Sequence, residues 1–143
     1  MSKIYYLSSI KFDILNRIKQ LPDNIILRSD IKDIASPRQI SRSLRALVEM
    51  GELVKIGYGV YAKSYLSKYV NKAIIKNGFG IACKEALIKL GISWEPGWAE
   101  KAYNAGESTQ VPVRTMIRLR SRFRRKLADG NYKLLIENNK NAR

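Results

Sequence analysis

Apolar residues along this chain first recur at helical spacing. Ile10, Ile14, Leu15 and Ile18 fall on one stripe between Ser9 and Leu21, with Lys11, Arg17 and Lys19 off it. Pro22-Asp23-Asn24 ends that run, and Ile25-Ile26-Leu27 is too short for a helix and reads as a small strand. Ser29 then caps a second short helix, with Asp30 and Asp33 near its positive end. The sharpest signal comes next. Ser36 is placed as an N-cap, Pro37 as the first helical residue and Gln39 as the returning partner of a capping box, while Gly51 supplies the stop. On a helix between those limits Ile40, Leu44, Leu47 and Val48 gather on one side. Arg38, Arg42, Arg45 and Glu49 lie opposite, with Ser41 on the shoulder. Leu53 to Ile56 and Val60 to Ala62 read as strands joined through Gly57-Tyr58-Gly59, where glycine tolerates positive φ.

Residues 64 to 68 read as a junction. Tyr69 to Lys76 has helical spacing (Val70, Ala73, Ile74) and stops at Asn77-Gly78; Ala82 to Leu90 and Gly97 to Asn104 are further short helices, closed by Gly91 and Gly106. From Val111 the period becomes two. Val113, Thr115, Ile117 and Leu119 alternate with Arg114, Met116, Arg118 and Arg120. Arg124 to Ala128 meets Tyr132 to Ile136 through Asp129-Gly130, a hairpin dipeptide. The pattern predicts an α+β chain. A winged helix-turn-helix over 1–64 is followed by a basic α+β domain over 65–138, made of short helices and a three-stranded antiparallel meander, with a disordered tail at 139–143.

Charge sharpens this picture. Lys and Arg number 27 against 12 Asp and Glu, a net charge of +15. Solubility alone asks for ~2–8 in a small domain, so the excess points to a polyanionic partner. Residues 1–64 hold 11 basic and 6 acidic groups, and residues 65–143 hold 16 and 6. The second half is thus the more basic. Arg114, Arg118, Arg120, Arg122, Arg124, Arg125 and Lys126 occur there without an intervening acid. In a strand, Arg114, Arg118 and Arg120 share a face, and their mutual repulsion suggests a second surface for phosphates, RNA or an acidic protein.

The chemistry of enzymes is thin. There is no histidine, the commonest general base and metal ligand, and the lone Cys83 excludes zinc ribbons and an intrachain disulfide. Gly57-Tyr58-Gly59 and Gly78-Phe79-Gly80 are turns rather than phosphate loops. Trp94 and Trp98 read as core anchors. No catalytic residue, metal site or cofactor is expected. No signal peptide or membrane span is legible, so a cytoplasmic protein is expected.

The candidate reading surface is the third helix, with Arg38, Gln39, Ser41, Arg42 and Arg45, and the hairpin, with Lys55 and Tyr58. Gln39 ranks lower because the cap claims it. The stretch from Arg45 to Tyr61 resembles the winged-helix part of AbiEi-type antitoxins and related transcriptional regulators. Ala86-Leu87-Ile88-Lys89-Leu90-Gly91, Trp94-Glu95-Pro96, Ser108-Thr109-Gln110-Val111-Pro112-Val113 and Arg122-Phe123-Arg124-Arg125-Lys126 resemble their C-terminal domain. The resemblance covers roughly residues 25 to 137. It implies a bacterial or mobile-element protein that binds double-stranded DNA; winged helices often read two half-sites as a homodimer, but no self-complementary patch is legible and the oligomeric state stays open. It further implies repression of its own operon beside a nucleotidyltransferase toxin, in the setting of phage defence. One departure is Tyr58, where related wings carry an arginine; tyrosine can bond a phosphate but brings no charge into a narrow minor groove. Two alternatives stand beside this reading: a small basic inhibitor that blocks a toxin or defence complex, and an RNA binder using the arginine strand.

Overall fold

The computed structural model describes residues 3–69, 72–107, 116–119, 123, 126–130 and 132–136. The chain is α+β and divides into two compact units, Met1–Gly78 and Phe79–Arg143.

In the first unit, helix α1 (Lys3–Gln20) is followed by strand β1 (Ile25–Leu27), helix α2 (Pro37–Glu49) and strands β2 (Leu53–Gly57), β3 (Val60–Leu66) and β4 (Ala73–Ile75). β3 is central: β1 and β2 pair with it antiparallel, and β4 pairs with its far end. One core joins both helices to the sheet. Ile10, Ile14 and Ile18 of α1 meet Ile40, Leu44 and Leu47 of α2, with Ile26, Ile31, Leu53 and Tyr61 beneath them. Val60, Tyr61 and Ala62 are buried in succession, so β3 is covered on both faces.

The start and stop of α2 follow from local chemistry. Ser36 Oγ accepts from the Gln39 N–H, and Gln39 Oε1 accepts from the Ser36 N–H, which satisfies amides that the first turn leaves open. At the other end Gly51 takes φ +79°. The Glu52 N–H reaches the Leu47 carbonyl and the Gly51 N–H reaches that of Val48, a Schellman closure.

Four expectations for this unit are corrected. The helix capped by Ser29 is a single 3-10 turn, Arg28–Asp30. Asp30 Oδ2 accepts from the Leu27 N–H at 2.9 Å and the Arg28 N–H donates to the Gly59 carbonyl, so these residues remain tied to the sheet. Asp33 serves no helix dipole: it takes two 3.0 Å hydrogen bonds from the Arg17 guanidinium. The helix at Tyr69–Lys76 is also absent among the described residues. β3 runs on past the hairpin and offers an open edge, which Ala73–Ile75 occupies as β4. A segment of eight residues cannot hold a helix against that pairing. For the same reason the domain boundary at 64/65 moves to 78/79, because residue 64 lies inside β3 and pairs with Ile75.

In the second unit, helix α3 (Phe79–Lys89) buries Ala82, Cys83, Ala86 and Leu87. Strand β5 (Trp94–Pro96), helix α4 (Trp98–Asn104) and strands β6 (Met116–Leu119), β7 (Ala128–Asp129), β8 (Tyr132–Lys133) and β9 (Leu135–Ile136) follow. β7 and β8 form the hairpin expected at Asp129-Gly130. The three-stranded meander is not what β6 joins. It pairs antiparallel with β5 and parallel with β9. The run Tyr132–Ile136 splits at Leu134, whose N–H donates to the Leu127 carbonyl, and its last two residues leave the hairpin for β6. A parallel pairing depends on a crossover, which alternation along one strand does not reveal. The tail at 139–143 lies outside the described residues, as do Val113 and Thr115. Cys83 is buried, and burial pushes its thiol up to about 12, the behaviour of an inert core residue. No helix is long and apolar enough to cross a membrane among the described residues.

Candidate nucleic-acid interface

The two faces of α2 separate cleanly. Ile40, Ser43, Leu44 and Leu47 are buried, while Arg38, Ser41, Arg42 and Arg45 are exposed. Those four stand at i, i+3, i+4 and i+7, so they form one row along the helix. Among the described residues, no hydrogen bond or ion pair engages Arg38, Arg42 or Arg45. Gln39 is half-buried and committed to the Ser36 cap, where it also accepts from the Ser36 hydroxyl at 2.9 Å.

The β2–β3 hairpin stands beside this row. Its tip residue Tyr58 is 83% exposed, and Lys55 is exposed on β2. Gly59 alone of the two tip glycines adopts a positive φ, +68°, so the turn needs glycine at one position rather than two. Lys55 pairs with Tyr61 and Gly57 with Val60, leaving Ile56 as a bulge between them. Of the seven predicted reading residues, Ser41, Arg45, Lys55 and Tyr58 come together between α2 and the hairpin, Arg38 and Arg42 are exposed on α2, and Gln39 serves as a cap.

Between helix and hairpin lies a cleft of about 430 Å³, lined by Arg28, Ser41, Arg45, Val48, Lys55, Tyr58, Gly59 and Tyr61. Three of these are cations and none is an acid. Arg28 was invisible as a site residue in sequence, because a single arginine after an apolar run carries no periodic signal. The fold pins it. Its N–H donates to the Gly59 carbonyl at 2.9 Å and its Nη2 donates to the Pro37 carbonyl at 2.7 Å. Tyr61, also unmarked in sequence, has its ring in the core and reaches the cleft. Burial pushes its phenol up, against the charge of Arg28, so it remains a neutral donor.

The second basic surface is different. Arg114, Arg120, Arg122, Arg124 and Arg125 lie outside the described residues, and Lys126 is exposed. Arg118 is half-buried, with its guanidinium 4.6 Å from the centre of the Trp98 ring and its backbone opposite Glu95 in the β5–β6 register. Its guanidinium is thus engaged within the fold. Trp98 is 51% exposed and carries Lys101 at 5.8 Å as well, so it is a surface platform already covered by cations rather than a core anchor. Lys84 lies 5.2 Å from the Trp94 ring and pairs with Glu100.

Comparison with protein-family models, with curated proteins and with solved structures finds no match to this chain.

Proposed function

We propose that the chain is a sequence-specific DNA-binding regulator, with α2 as recognition helix and the β2–β3 hairpin as the wing of a winged helix-turn-helix. The observation that carries this reading is the outward row Arg38, Ser41, Arg42 and Arg45 beside a basic hairpin. Arginine suits the O6/N7 edge of guanine, and a helix fits the major groove of B-DNA. Lys55 and Tyr58 take the phosphate backbone. The segment before α2 departs from the usual motif, since one 3-10 turn and bends stand where a first helix would lie. The core contacts of α1 with α2 supply the support that this missing helix would give. The same proposal includes the setting implied by the sequence resemblance, repression of the chain's own operon next to a nucleotidyltransferase toxin.

A duplex selected from a random pool, then titrated by fluorescence anisotropy, tests the reading. Arg42→Ala is expected to weaken binding by ~1–3 kcal/mol and relax preference at one base pair, with the thermal melt unchanged. Equal affinity of R42A and the parent protein for that duplex removes α2 as the reader.

A further inference from the structure

We propose that the cleft between α2 and the β2–β3 hairpin is a phosphate-ester site in its own right, with Arg28 as its fixed anchor and Arg45 and Lys55 as the cations that close on the ligand. Where the ester belongs to a duplex backbone, the proposal rests on the DNA reading above; where it belongs to a free nucleotide, it stands alone.

Three observations converge on this assignment. The first is charge: Arg28, Arg45 and Lys55 line one small concavity without a lining carboxylate. Their mutual repulsion is relieved by an anion between them. The second is preorganisation. Arg28 is held at its backbone by Gly59 and at its guanidinium by Pro37, which uses Nη2 and leaves the other N–H donors of the fork available. A guanidinium already fixed in place loses little freedom when it takes a phosphate. The third is the character of the walls. Ser41 and Tyr61 offer neutral hydroxyl donors, while Val48 and the Tyr58 ring offer apolar surface. An inorganic anion has no use for that surface, whereas the sugar and base of a nucleotide do. The volume of about 430 Å³ falls in the range of small-molecule sites, ~300–1,000 Å³. It suits one nucleotide unit rather than a whole duplex.

The experiment has two arms and uses the full chain. In the first, parent, Arg28→Gln and Lys55→Gln proteins are titrated with the selected duplex and with a scrambled one. Both variants are expected to bind both duplexes more weakly by roughly tenfold, with the salt slope reduced by about 1, as for a contact that reads no sequence. In the second arm the same proteins are titrated with adenosine monophosphate, followed by NMR of the arginine side-chain N–H signals. Saturable shifts are expected for the parent and for Lys19→Ala, on α1 and outside the cleft, and are expected to be lost in R28Q and K55Q. If the monophosphate binds and displaces duplex, the ester is a free nucleotide. If only the first arm responds, it is the backbone. Arg28 also braces α2, so R28Q is accompanied by a thermal melt; should it melt early, Lys55→Gln and Arg45→Gln decide. Parent-like behaviour of the variants in both arms overturns the site. If R38A and R42A leave duplex binding intact while the cleft variants lose the monophosphate, the groove reading falls and this site remains.

Discussion

On α2 of the first unit Arg38, Arg42 and Arg45 project to solvent, whereas in the second unit Lys84, Lys101 and Arg118 lie over tryptophan rings. The second half of the sequence is the more basic, but divided at 78/79 the units carry 14 basic and 6 acidic residues against 13 and 6. Charge count therefore does not separate the two units. What matters is whether each guanidinium or ammonium already has a partner. The cores differ in parallel. Isoleucines and leucines from α1, α2 and three strands fill the first, while the second buries mainly Ala82, Cys83, Ala86, Leu87, Ile117 and Leu127 among the described residues. Among the described residues, that smaller core leaves more of the second unit's cohesion to contacts such as those over Trp94 and Trp98.

The largest effect is expected in the first core. Leu44 is fully buried between α1 and the sheet, and Leu44→Ala should cost ~2–5 kcal/mol in urea unfolding. A cost below about 1 kcal/mol would mean that this core is no better packed than its neighbour. The paired glycines give a finer comparison. Gly51 and Gly91 both end helices at φ +79°. A Cβ on Gly91 meets nothing within 4 Å, but on Gly51 it comes within 2.5 Å of Leu66 Cγ. Gly91→Ala should cost ~1–2 kcal/mol from backbone conformation alone. Gly51→Ala should cost about 1 kcal/mol more, because Leu66 is exposed enough to swing aside at the expense of its rotamer. Equal losses in the two variants would show that Leu66 yields without resistance.

Arg118→Ala should lower stability by ~0.5–1 kcal/mol and change tryptophan fluorescence, with duplex affinity unchanged. A clear loss of DNA binding in that variant would return the arginine strand to the nucleic-acid surface. The smallest effect concerns the exposed Arg17–Asp33 pair. The guanidinium holds the Asp33 carboxyl below its ordinary value, chiefly by hydrogen bonding. A carboxyl lowered in the folded state contributes stability that is present above its unfolded pKa and is lost as pH falls through the folded one. Melting temperatures of parent and Asp33→Asn should therefore differ slightly at neutral pH and converge as pH drops below about 4. A constant difference down to pH 2 would contradict that account.

Legibility followed the range of the interactions. Ser36, Pro37, Gln39 and Gly51 act within a few residues of one another, so the limits of α2 could be read directly and the structure places them as expected. The hairpin at Asp129-Gly130 is local in the same sense. Ala73-Ile74-Ile75 carries helical spacing, but the open edge of β3 lies beyond the reach of a helical turn, at Ser64 to Leu66, and decides the outcome. The parallel partnership of β6 with β9 is more remote still, pairing Met116 with Leu135. Within the candidate site the exposed row on α2 was visible from periodicity. Arg28 and Tyr61 were not, because the cleft they line exists only once β1, α2 and the hairpin are brought together.

The bulge at Ile56 has a consequence for how this surface could diversify. Sliding the ribbon by one place would turn Ile56, 2% exposed, out into water and carry the Lys55 ammonium inward. The strands are thereby locked, and a change of length between Tyr58 and Gly59 has nowhere to go except outward. The tip behaves as an interchangeable head on a fixed handle: residues can be exchanged or added there while Arg28, Arg45 and Lys55 keep their places.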